Sequence, residues 1–412
     1  MSALLWPGDH RAGERLSDAA VVRAMAEVET AWLAALAAAG VAPAEAAVDL
    51  TELVGAEDVP ALAVAAEDGG NPVIPLVGLL RERLRARLGE SHPAAARVHA
   101  GLTSQDVLDT ALVLEWRRTA DEVLGHLDAQ VTTLSDLARA HRGTVTVGRT
   151  LTQYAVPVTF GLVAATWLQG VLDARDDLRA ARDRLPASFG GAAGTLAAPR
   201  ALLAPVGADV LVVVASAARR LGLEWTTPWH TSRAPVTRVG DALTGVSDAY
   251  GRIAADVLAR ARPEVAELRE GAAAGRGGSS TMPHKSNPVL SVQVRRTALA
   301  APGLAAQLHL AAATAVDQRP DGAWHTEWET LALLGRRVLA ASSQVNELLS
   351  GLEVDAEQMA RRADEASEEL LAERRRFADP GTDAAPADYL GATDQIIDAV
   401  LQRADRTRGG RP

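Results

Sequence analysis

Ser279, Ser280, Lys285 and Asn287 crowd into "GRGGSSTMPHKSNPVLS", residues 275–291, where glycines and two prolines break a chain otherwise rich in helical pattern. Hydroxyl, ammonium and amide groups on one such segment can hold a carboxylate and pass a proton, provided that the segment moves onto its ligand. A linker between helices is also Gly-rich, but has no need of Met282, His284, Lys285 and Asn287 in close succession. Four further polar islands carry related chemistry. In "HAGLTSQD", His99 precedes Thr103 and Ser104 at the start of a long helical run. The free N–H groups of that first turn, with the two hydroxyls, make either a helix cap or a seat for a carboxylate. "GRTLTQ" brings Arg149 and Gln153 just ahead of a predicted helix, and the glycines of "FGGAAGTL" form a turn or a place of close backbone approach. "TPWHTSR" sets His230, Thr231 and Arg233 between helices, as a surface loop or a binding one. In "VDQRPDGAWHTEW", Arg319 is the better substrate contact, and His325 fits helix packing more than chemistry.

These islands must be positioned by helices. Apolar residues recur at helical spacing from Ser17 to Gly40, with Ser17 as cap and Gly40 as stop, and again in "PLVGLLRERLRARLG". The longest run, Thr103 to His141, has no proline and opens with a Thr-x-x-Asp capping pattern. Further runs are predicted over 157–184, following the β-branched connector "GTVTVGRT", and over about 205–222, 236–270, 288–315 and 323–349. Alternating strand patterns are nearly absent, and no repeat of 30–45 residues argues for a solenoid. The prediction is an all-α protein with an N-terminal helical part (1–100), a central long-helix bundle (101–345, with the polar loop at 275–288) and a charged C-terminal part (346–412). Helices that are apolar on several faces need neighbouring subunits to cover them, which predicts a homo-oligomer.

Composition narrows the chemistry. Aromatic residues make up 3% of a chain that is 48% hydrophobic, so its core must be Ala, Leu and Val, which suit close helix packing. The absence of cysteine excludes disulfides and thiolate chemistry, and the nine histidines show no ligand spacing, so no metal is expected. A formal net charge of −10 argues against a nucleic-acid partner, while a few focused arginines can still hold an anionic substrate. No apolar run reaches the ~18 residues of a membrane span and the first residues do not read as a signal peptide, so a cytoplasmic protein is expected.

Taken together, "GSSTMPHKSNP", "HAGLTSQD" and "GRTLTQYAVP" resemble the three signature blocks of the fumarase/aspartase superfamily, over residues 17–350 or so. "TSQDVLDTALVL", "FGGAAGTLA", "PWHT" and "AWHTEWETL" are most similar to its 3-carboxy-cis,cis-muconate cycloisomerase branch, with the adenylosuccinate lyases next. The resemblance implies a three-domain subunit, a homotetramer with active sites shared between subunits, a small di- or tricarboxylate substrate, and addition or elimination beside a carboxylate without metal or organic cofactor. It implies Ser279 as the proton-transfer residue, Ser280 as a shaper of the loop that also carries Met282, and Lys285 and Asn287 as holders of the substrate carboxylate. Proton loss beside a carboxylate builds a dianion, which Thr103, Ser104, Arg233 and Arg319 would help to stabilise; His99 and His230 are further contacts or helpers. Some relatives, adenylosuccinate lyases among them, carry a histidine where this chain has Leu151, and that histidine protonates a leaving group. Leucine cannot, so the resemblance favours a leaving group that is already a stable anion, the carboxylate of a cycloisomerase; the alternative is an adenylosuccinate lyase-like elimination of a weakly basic anion or amine from a substituted succinate to give fumarate.

Overall fold

The computed structural model describes residues 4–273, 275–278, 281–282, 285–377 and 384–409; Ser279 and Ser280 lie outside the described residues. Side chains start helices where the sequence predicts them. Ser17 Oγ accepts from the Ala20 N–H at 3.2 Å to open helix Asp18–Ala38, and Gly40 follows its end at φ 79°. The Asp106 carboxylate accepts from the Thr103 N–H at 3.0 Å, closing the predicted cap at the head of helix Ser104–Ala140. That helix has 37 residues, and at ~1.5 Å per residue it is one of the long rods of the fold. The others are Phe160–Asp183, Ala234–Arg260, Val289–Ala313 and Ala323–Ser350.

Two predictions fail at element ends. Residues 157–159 are not helical: Val145–Thr150 and Gln153–Thr159 pair as an antiparallel hairpin, and the helix begins at Phe160. The β-branched residues on both sides of the turn favour a pleated ribbon over a helix. Arg149 and Gln153 are therefore hairpin residues. A bulge at Gly148 bends the first strand, and any Cβ there would lie 2.4 Å from the Val156 carbonyl oxygen. The second failure is the run predicted to 270, which ends at Arg260 shortly before Pro263; Leu268–Arg269 then pairs with Glu353–Val354.

The described chain forms two compact units, each drawn from three stretches. The first is Met1–Glu122, Arg179–Leu243 and Pro302–Arg337. Its core includes Trp32 stacked on Phe189, with Trp32 Nε1 donating to the Ala100 carbonyl at 2.8 Å. The second unit is Val123–Leu178, Thr244–Ala301 and Val338–Pro412. There Phe160 meets Trp167 edge-on, Tyr250 donates its hydroxyl to Ser342 Oγ at 3.0 Å, and the hairpin packs Val147 on Ala363, Ala366 and Leu370.

Candidate active site

In the first unit the helix opening at Ser104 carries Asp106 and Asp109 one turn apart, both fully buried. A buried carboxylate is costly unless its lone pairs are met. Asp106 is met four times, by the N–H groups of Thr103, Gly190 (2.7 Å) and Gly191 and by His230 Nε2 at 2.9 Å. A carboxylate only accepts, so Nε2 carries the His230 proton. Nδ1 of that ring is buried and has no hydrogen-bond partner among the described residues, and the ring is 3% exposed. Gly190 is needed beside it, because a Cβ would stand 2.8 Å from the imidazole.

Asp109 takes Arg233 bidentately, at 2.7 and 3.1 Å, and accepts from Trp324 Nε1 at 2.8 Å. Glu327 grips the other edge of the same guanidinium, which also lies 4.7 Å from the Trp229 ring centre. Burial opposes the Arg233 charge, but Asp109 and Glu327 outweigh it and hold the guanidinium above its ordinary range. Burial pushes the Glu327 carboxyl up, with Arg233 pulling it back and Asp109 adding to the rise. Arg233 is thus the knot of this wall, gripped from two sides by carboxylates.

The accessible face of the unit is made by other groups. Thr103, Ser104 and Thr231 are half-buried, and exposed Arg319 donates to Thr103 Oγ1. His99 holds a left-handed backbone at φ 61°. Its N–H and its ring Nδ1 both bond to Glu29, at 2.8 and 2.6 Å. This face offers hydroxyls, one exposed guanidinium and a helix N-terminus, which together suit a carboxylate. His325 Nε2 bonds to the Gly70 carbonyl at 2.9 Å, and its ring lies against Trp328.

In the second unit the polar loop is tied at its base. The backbone N–H and the side-chain Nδ2 of Asn287 both donate to the Gly277 carbonyl at 2.9 Å. Gly277 sits at φ 72°, where a Cβ would lie 2.5 Å from the Asn287 oxygen. Glu270 caps the next helix by accepting from the Leu290 and Ser291 N–H groups. Lys285 is exposed and lines a cleft of about 810 Å³ with Arg269, Glu353, Asp355 and Glu357; exposed Met282 accepts the Lys285 N–H. Arg149 stacks near Tyr154 and pairs with buried Glu267, which also holds Arg260. Gln153 is exposed beside the turn Leu151–Thr152, where both residues have positive φ and Leu151 is 96% exposed. The structure therefore gathers His99, Thr103, Ser104, His230, Thr231, Arg233 and Arg319 in one unit, and Arg149, Gln153, Met282, Lys285 and Asn287 in the other.

A family model described as Lyase matches residues 10–303, which is more than half of the chain. This chain belongs to that lyase family, within the fumarase/aspartase superfamily. Family members similar to it include the nitrosuccinate lyase of Streptomyces davaonensis, 43% identical over 87% of this chain and 76% of the relative. The 3-carboxy-cis,cis-muconate cycloisomerase of Bradyrhizobium diazoefficiens is 38% identical over 98% of this chain and 87% of the relative. Among solved structures, the 3-carboxy-cis,cis-muconate lactonizing enzyme of Pseudomonas putida superposes with a TM-score of 0.84 at 32% identity, covering 96% of this chain and 97% of that one. Against this lyase fold, sequence reasoning missed Glu29, Asp109, Glu267 and Glu327. Each is an acid in a helical or apolar context that a sequence reader assigns to a solvated face. The available signal was Asp106 and Asp109 among apolar neighbours in "TSQDVLDTALVL", where a carboxylate on a buried face requires a partner.

Proposed function

We propose that this lyase-family protein is a 3-carboxy-cis,cis-muconate cycloisomerase, a cytoplasmic homotetramer acting without metal or organic cofactor. One substrate carboxylate closes on an alkene carbon, and a proton is delivered to the neighbouring carbon beside another carboxylate; no atom is lost. The cycloisomerase names of relatives spanning up to 98% of the chain support the reading. The residue that sets the kind of leaving group is Leu151. In the reverse direction the expelled group is a carboxylate, whose conjugate acid has a pKa of about 4, so it departs without an acid catalyst. A leaving amine would need one, and an exposed leucine at the hairpin tip supplies none.

Ser279 is proposed as the proton-transfer residue, with Lys285 and Asn287 holding the carboxylate and Thr103, Ser104 and Arg319 stabilising the dianion. The division into 1–100, 101–345 and 346–412 is proposed with it. Association is favoured by apolar side chains that the chain leaves uncovered: Val292 and Leu299, two turns apart on one helix, are 52% and 74% exposed. No single helix among the described residues is long and apolar enough to cross a membrane.

A second reading rests on the 43% identity to a nitrosuccinate lyase. Elimination from nitrosuccinate breaks a C–N bond beside the carbon that loses its proton. The departing nitrite is as weakly basic as a carboxylate, so Leu151 fits it equally. Ultraviolet assays on purified, chelator-treated protein separate the readings. Loss of 3-carboxy-cis,cis-muconate absorbance with lactone formation is expected, with negligible cleavage of adenylosuccinate. Fumarate and nitrite released from nitrosuccinate, with no lactonisation, would replace the first reading by the second.

A further inference from the structure

Glu29 stands in the middle of helix Asp18–Ala38, flanked by Met25, Ala26, Val28 and Trp32, all at 0% exposure, and its own side chain is as deeply buried. A charge in such a place must be matched by donors. Among the described residues both of its hydrogen bonds go to one residue seventy positions away: Oε2 takes the His99 N–H and Oε1 takes the His99 ring at Nδ1. The first bond secures a left-handed backbone that a β-carbon disfavours, and so fixes where the ring begins. The second fixes its proton, because a carboxylate accepts only and Nδ1 must therefore be the N–H. What remains is Nε2, on a ring that is 19% exposed. His230 is built the opposite way, with its protonated nitrogen on Asp106 and the other nitrogen sealed inside the wall.

We infer that Glu29 is a positioning residue that presents Nε2 of His99 to the reaction, and that His99 rather than His230 is the second proton carrier. This rests on the cycloisomerase reading for its substrate, but not for its geometry. In the lactonising direction a proton is consumed at carbon. The imidazolium of His99 restores that proton from Nε2 by way of water: one N–H bond breaks, one O–H bond forms, and Nδ1–H stays on Glu29. In the reverse direction the Nε2 lone pair takes the proton back. Glu29 stabilises the imidazolium throughout without exchanging a proton itself.

Glu29→Gln tests this, because glutamine keeps the shape but cannot accept from both donors. To accept from the backbone it must turn its NH₂ toward the ring, which moves the ring proton to Nε2. The expected result is a kcat lower by about 10²-fold with KM little changed. In a His99→Ala background the same substitution should cost no further activity. An activity-independent readout is carbethoxylation of His99 by diethylpyrocarbonate, followed by peptide mass mapping: it requires a free Nε2 lone pair and should slow in Glu29→Gln. Unchanged kcat and unchanged labelling would overturn the inference. If Glu29→Gln does not fold, the unsubstituted protein decides: a His99 that resists labelling does not present Nε2, and the idea fails. Slowed labelling in a protein inactive on carboxymuconate would retain the Glu29–His99 pair and sink the substrate reading alone.

Discussion

Arg233 shows what a single residue can and cannot disclose. Its place in "PWHTSR" marks it as functional, and its charge invites a substrate carboxylate. Its partners, Asp109 and Glu327, lie 124 and 94 positions away, and nothing local in the sequence pairs them. With two carboxylates on one guanidinium the buried cluster is one negative charge in excess, which is why burial and Asp109 together raise the Glu327 carboxyl. The two sides of the cluster should therefore respond unequally to substitution. Arg233→Met strands two buried carboxylates and should destabilise by about 3–5 kcal/mol in urea unfolding. Glu327→Gln removes the surplus charge, keeps the Asp109–Arg233 pair, and should cost within about 1 kcal/mol. Equal losses would mean that Arg233 is not the balancing charge. His99 was legible as a site position for the same reason as Arg233, and Glu29 was hidden for the same reason as Glu327.

At the scale of elements, the helices were readable because their starts are local chemistry: Ser17 and the Thr103–Asp106 box act within three residues of the end they cap. The hairpin was not, because its pairing joins Val145 to Thr159 across a turn that has no glycine or asparagine. Leu151 and Thr152 occupy positive φ without the residue types that favour it, a strain that tends to be kept where a tip has work to do. The polar loop was recognisable from composition, but its clasp was not. Gly277→Ala should open that clasp, since the left-handed backbone and the Asn287 oxygen both reject a Cβ. Displacement of Asn287 and the residues before it should lower kcat by about 10²-fold, with the melting temperature little changed. A large fall in melting temperature with normal kcat would make the clasp a matter of stability instead.

For the whole molecule, the residues implied in one reaction are divided between two compact units, with Thr103 in the first and Lys285 and Asn287 in the second. The site proposed to be shared between subunits of a homotetramer makes a specific demand. Thr103→Ala and Ser279→Ala, each inactive alone, should regain part of the activity when co-expressed, because some mixed tetramers assemble a site free of both changes. Full activity from a species that light scattering finds monomeric would refute this. The four bonds to Asp106 bear on the gene as well as on the protein. They draw together stretches 84 and 124 positions apart, so a chimera of two relatives with its crossover between 110 and 189 must reunite them from different parents. Three of the four donors are main-chain N–H groups, which any parent supplies if its glycines at 190 and 191 permit the approach. Among the described residues position 230 contributes the one side chain that meets Asp106, and Arg233 and Trp324 bring the side chains that meet Asp109, so inheritance at these codons should decide which recombinants keep the wall intact.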